Sequence, residues 1–115
     1  MKDFESKITL KETEYPLVFN LNVMEALQEE YGTLDKWGSL TDGSQGEPNA
    51  KAVIYGFTEM INEGIDIENE KNNEERKALT RKQVGRIITE YGLAEVTKIM
   101  NNTVVESTKS NEKNV

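Results

Sequence analysis

Charged oxygen and nitrogen groups dominate the reactive side chains of this chain of 115 residues, which contains no histidine and no cysteine. Proton relay near neutral pH, thiolate attack and zinc ligation lean on those two residue types. Carboxylate, lysine, hydroxyl or oxygen-ligated metal chemistry is what remains. Asp66, Glu68 and Glu70 alternate in a polar stretch and could converge on calcium, but Lys71 stands where an EF-hand loop needs its glycine. Asp42-Gly43-Ser44-Gln45-Gly46 is glycine-rich without the following Lys-Ser or Lys-Thr of a phosphate-binding loop. Glu29 and Glu30 are adjacent, so on a helix they project in different directions, and nothing marks either as a general acid. The expectation is a protein that is not an enzyme, with no catalytic, cofactor-binding or metal-binding residue to assign.

Basic residues are the more informative group, because they are concentrated. Residues 1–75 carry six Lys and no Arg against four Asp and thirteen Glu, a net of −11, in a chain whose overall charge is −7. Arg76, Lys77, Arg81, Lys82, Arg86 and Lys98 face only Glu90 and Glu95 across residues 76–98, a net of +4. An acidic body with one basic segment can steer a complementary partner or let copies of the chain meet head to tail. The competing reading is an ordinary solvated helix face. Arg81, Lys82 and Arg86 are taken as candidate interface residues. Trp37 joins them, because an aromatic side chain at a helix end beside a loop can anchor a partner as readily as it can fill a core.

The elements that must position these groups are legible from pattern. Ile8-Thr9-Leu10 and Tyr15-Pro16-Leu17-Val18-Phe19 read as a hairpin, with Pro16 at an edge or a strand start. Asn22 caps a short helix ending at Gly32, and Thr33 caps a further turn through Trp37. Pro48 opens a central core helix carrying Val53, Ile54, Phe57, Met60 and Ile61, which Gly64 ends. Gly56 within it costs roughly 1 kcal/mol against alanine, which predicts close backbone packing there. Residues 65–78 read as an exposed loop. Thr80-Arg81-Lys82-Gln83 has capping-box form, and Val84, Ile87, Ile88 and Tyr91 make the helix behind it. After Gly92, an apolar stripe from Leu93 to Val104 carries a last helix to about Glu106.

The fold class is therefore α+β: an N-terminal β-hairpin packed on a small bundle of about four helices. One domain spans 1–106, and 107–115 form a polar, disordered tail. No apolar run approaches the roughly 18 residues of a membrane span, and Met1 to Ser6 lack a secretory apolar segment, so a cytoplasmic protein without membrane contact is expected. The pair of helices after Thr80 superficially resembles a helix-turn-helix. Its basic residues lie on the first helix instead of the recognition helix, and the acidic body would repel a duplex, so nucleic acid is the weaker partner.

The stretch Tyr15-Pro16-Leu17-Val18-Phe19-Asn20-Leu21-Asn22-Val23-Met24-Glu25-Ala26-Leu27, followed by Glu30-Tyr31-Gly32 and Lys36-Trp37, resembles the small tail assembly chaperones of long-tailed phages and prophages of Gram-positive bacteria. Ala52 to Phe57 and Leu79 to Leu93 are similar in placement, so the resemblance covers about residues 7–107. It is a likeness of pattern without a chemical motif. It implies a non-catalytic α+β protein of the host cytoplasm that binds the tape measure protein and helps recruit tail tube subunits. It transfers no individual contact residue. A DNA-binding regulator using residues 80–106, a structural phage subunit and self-association into a homo-oligomer stand as alternatives.

Overall fold

The computed structural model describes the backbone of residues 4–113 and the side chains of residues 6–108. β1 (Phe4–Leu10) and β2 (Thr13–Phe19) pair antiparallel with Lys7 opposite Pro16 and Ile8 opposite Tyr15. Lys11 and Glu12 join them, both at positive φ (48° and 70°). Two left-handed residues in a two-residue connection are what the right-handed twist of a hairpin demands. With only two strands each is an edge, so the missing amide of Pro16 is tolerated. From Pro16 to Phe19 every residue of β2 is buried, so side chains on both of its faces are covered.

α1 (Leu21–Tyr31) and α2 (Leu34–Thr41) follow. Asn20, and not the expected Asn22, caps α1: its side-chain Oδ1 accepts from the Val23 amide at 3.2 Å. β2 ends at Phe19, so the first asparagine beyond it meets the orphan amides. Asn22 has a different task. Its side-chain amide and that of Asn20 both donate to Glu63 Oε2, at 2.9 and 2.7 Å, tying the start of α1 to the next helix. Thr33 caps α2 as its sequence position implies, but α2 continues beyond Trp37 to Thr41.

α3 (Ala50–Asn72) is the central helix. Asn49 caps it through the Ala52 amide at 2.9 Å, placing Pro48 just before the cap and not at the first helical position. Gly64 does not end it. A Cβ at Gly64 would lie 2.9 Å from the ring of Pro16, so this glycine admits the hairpin and the helix runs through. Ile65 is buried and Asn72 closes the helix, which corrects the expected loop over 65–78 to residues 73–80. That shorter loop is held against α3 by two asparagines seven residues apart. Asn62 exchanges two hydrogen bonds with the backbone of Leu79, at 2.8 and 3.0 Å, and Asn69 does the same with Arg76, at 3.1 and 2.8 Å. Arg76 also lies over the Tyr15 ring, 5.4 Å from its centroid.

α4 (Arg81–Tyr91) begins with the full capping box of Thr80 and Gln83, and Gly92 at φ 111° turns the chain into α5 (Leu93–Lys113). α5 passes the boundary expected at Glu106. Ser107 is fully buried and its hydroxyl donates to the Phe19 carbonyl at 3.1 Å, while Thr108 donates back to the Val104 carbonyl. A polar sequence continues the helix here because its hydroxyls find acceptors. Residues 114 and 115 of the expected tail lie outside the described residues. No helix among the described residues is long and apolar enough to cross a membrane.

The core gathers Leu17, Phe19, Leu27, Trp37, Val53, Phe57, Met60, Ile61, Val84, Val96 and Met100 into one cluster. Trp37 is its largest member, and a Cβ built at Gly56 would collide with Trp37 Cζ2. Gly56→Ala should therefore destabilise the protein by about 2–3 kcal/mol, overriding the roughly 1 kcal/mol gain in helix propensity. Urea unfolding measures this; an alanine variant as stable as the wild type would contradict the contact. Asn62→Ala strands the Leu79 backbone and should cost about 1–3 kcal/mol, with the Leu79 amide becoming faster to exchange with solvent.

Candidate functional site

α4 divides its surface into two halves. Val84, Ile87 and Ile88 are buried in the core. The opposite half consists of two neighbouring i, i+4, i+8 rows, Arg81-Gly85-Thr89 and Lys82-Arg86-Glu90, which all line one open groove. The facing wall comes from Lys51 and Ile54 of α3, and the groove encloses about 990 Å³. Its surface is mostly apolar, supplied by Ile54, the glycine floor and the aliphatic stems of the basic side chains, with the charged heads at the rim. Arg81, Lys82 and Arg86, singled out from sequence, are thus brought together. Lys51, thirty residues earlier in the chain, was missed, since no local pattern announces a residue supplied by another helix.

The rim is asymmetric in its pairing. Lys51 reaches Glu30 at 3.3 Å, and Glu90 takes Lys11 of the hairpin turn at 2.6 Å. Arg81 stacks over Tyr55, 5.0 Å from the ring centroid. Among the described residues neither Lys82 nor Arg86 has an ion-pair partner. Glycine at 85 is not required by internal packing, because a Cβ there would make only an ordinary 3.7 Å contact with Ile54 Cδ1. This separates it from Gly56 and Gly64, whose Cβ atoms would collide with Trp37 and Pro16. Gly38 is also open, but it sits in the second half of the short helix α2.

Beside the groove lies an aromatic and acidic shoulder. Tyr31 and Tyr55 meet edge to face at 5.7 Å, and the Tyr55 hydroxyl donates to the Ala26 carbonyl at 3.2 Å. Burial pushes both phenols above their ordinary 10.0. Burial also raises the Glu59 carboxyl above its ordinary 4.5, opposed by the nearby Arg81 charge and reinforced by Glu63.

Trp37 takes no part in a surface. It is 1% exposed and its indole nitrogen donates to the Ala52 carbonyl at 2.9 Å, so the core half of its two readings is the one realised and it is withdrawn as an interface residue. Asp66, Glu68 and Glu70 fall on helix α3, where alternate positions point to different sides, and they do not converge. Among the described residues no three of His, Cys, Asp or Glu stand close enough to share a metal ion. The α4–α5 junction is a single glycine, shorter than the three- or four-residue turn of a helix-turn-helix. The exposed side of α5 offers Lys98 between Glu95 and Glu106. No family model matches the chain, and neither a curated protein nor a solved structure matches it.

The raised Glu59 pKa means that its charged form is less favourable folded than unfolded, so the benefit of its protonated state is lost as pH rises through the folded value. Glu59→Gln should then be more stable than the wild type at neutral pH, with the difference disappearing below the ordinary carboxylate range. Thermal melts across pH measure it; a gain that does not vary with pH would assign the effect to something other than ionisation.

Proposed function

We propose that this protein is a non-catalytic binding partner for a long helical client, acting as an assembly chaperone. The observation that carries the reading is the open α3/α4 groove: an apolar trough with basic heads at its rim, of which Arg81, Lys82 and Arg86 have no ion-pair partner among the described residues, on a chain that is otherwise strongly acidic. Such a trough suits the apolar stripe of an amphipathic helix, which is recognised through side chains spaced three and four apart. α4 is eleven residues long, about 16 Å at 1.5 Å per residue, and so can engage about three turns of a partner helix.

The resemblance of residues 15–37 to phage tail assembly chaperones supplies the specific form of the proposal. The client is then the tape measure protein, held until tail tube subunits are recruited around it, and the work is done in the host cytoplasm. A small DNA-binding regulator is the weaker reading, because the basic rows lie on α4 while the exposed face of α5 has no excess of positive charge.

Co-expression of the chain with each product of its neighbouring genes, followed by affinity purification, tests the proposal. The expected result is a soluble complex with a very long helical protein that is insoluble when expressed alone. Recovery of no such protein, together with a salt-sensitive shift of random duplex DNA, would replace the chaperone reading with the regulator.

A further inference from the structure

We infer that the α3/α4 groove seats one amphipathic helix whose flanks are acidic, and that Gly85 is the notch over which this helix makes its closest approach. The inference rests on the client-binding reading and assigns that reading a surface and a partner chemistry. It starts from a local conflict. Gly85 is the fifth of the eleven residues of α4, and a glycine inside a regular helix costs about 1 kcal/mol relative to alanine. Inside α3 the same cost is explained by Trp37 over Gly56 and Pro16 over Gly64. At Gly85 nothing among the described residues occupies the space: the nearest atom to an added Cβ is Ile54 Cδ1, at van der Waals distance.

The surroundings of that vacancy specify what fits. Packed helices interdigitate along their i, i+4 rows at 8–10 Å between axes, and a small residue in such a row lets the partner backbone come nearer. Gly85 is the middle residue of the row Arg81-Gly85-Thr89, so the notch lies at the centre of the groove and not at its end. The Thr89 hydroxyl donates to the Gly85 carbonyl at 2.9 Å, which turns that polar group back onto the helix and away from an incoming apolar stripe. Charge then selects the partner. Lys82 and Arg86 stand one turn apart along the adjacent row, with no ion-pair partner among the described residues and with Glu90 of that row taken by Lys11, and match acidic residues three or four apart on the flank of a bound helix. A basic helix meets like charge at the same two places, which is how a groove rejects the wrong partner as well as accepting the right one.

Two synthetic helical peptides of equal length and identical leucine stripe, one with glutamate flanks and one with lysine flanks, are the probes, read by fluorescence anisotropy against the full chain. The glutamate peptide should bind at least tenfold tighter than the lysine peptide, with affinity falling as salt rises. Gly85→Leu, which fills the notch, and the pair Lys82→Glu with Arg86→Glu, which reverses the rim, should each weaken the glutamate peptide at least tenfold while the melting temperature stays at or above that of the wild type. Gly85→Ala serves as the folding control and should raise the melting temperature. Equal affinity for the two peptides, no binding of either, or an unchanged affinity in both variants overturns the inference. Light scattering decides the remaining occupant: a wild-type oligomer that Gly85→Leu dissociates would give the groove to a second copy and overturn the client helix. Recovery of the helical client from co-expression at wild-type yield with both variants would leave the chaperone reading standing while removing the groove from it.

Discussion

The contact of Trp37 with Gly56 is the constraint around which the remaining elements arrange themselves. The indole lies so close to α3 that no side chain can stand between them, and its nitrogen is satisfied by the Ala52 carbonyl one turn earlier. A large ring with one polar atom is thereby buried without leaving an unpaired donor. The contact fixes α2 on one side of α3, while the Glu63 bonds to Asn20 and Asn22 fix the start of α1. Ile54, two residues before Gly56, points to a different side of the helix and there becomes a wall of the groove. The stretch of α3 that is pinned by the tryptophan is thus the stretch that holds the binding surface in place.

Much of this organisation is legible in the residues. The Thr80 capping box, the hairpin with its edge proline, the Gly92 turn and the close packing at Gly56 are all local patterns, and each is realised where its pattern lies. Two expectations fail for a shared physical reason. Residues 65–72 and the segment after Glu106 read as loop and tail from composition, whereas their conformation is decided by distant partners. Ile65 continues the Ile61 row into the core, and Asn62 and Asn69 occupy one face at heptad spacing, a signal that periodicity could have supplied. Ser107 offers no such signal, because its acceptor is a carbonyl on a strand at the other end of the chain.

The candidate site divides in the same way. Clustering of positive charge made Arg81, Lys82 and Arg86 visible, and a capped helix with a buried Val84-Ile87-Ile88 stripe made them co-facial. Lys51 and Ile54 become part of the surface only when α3 is laid beside α4, and Trp37 leaves it only when the core closes. Absence of histidine and cysteine removes familiar chemistry, but a binding surface has no residue type of its own to look for. It is recognised by a mismatch between what a position costs and what the fold needs, as at Gly85.

The contact between α5 and the hairpin has an uncommon makeup. Thr103 and Ser107, one helical turn apart, reach Ser6 of β1 at 2.7 Å and the Phe19 carbonyl of β2 at 3.1 Å. Greasy surfaces tolerate sliding, since displacing one helix by a turn exchanges one apolar neighbour for another of similar size. A slip of one turn would part Thr103 from the Ser6 hydroxyl and the buried Ser107 from the Phe19 carbonyl, leaving Thr103 only its bond to the Ile99 carbonyl of its own helix. The C-terminal helix is therefore docked like a key with two teeth: the apolar residues hold it down, and the hydroxyls set where along the hairpin it stops.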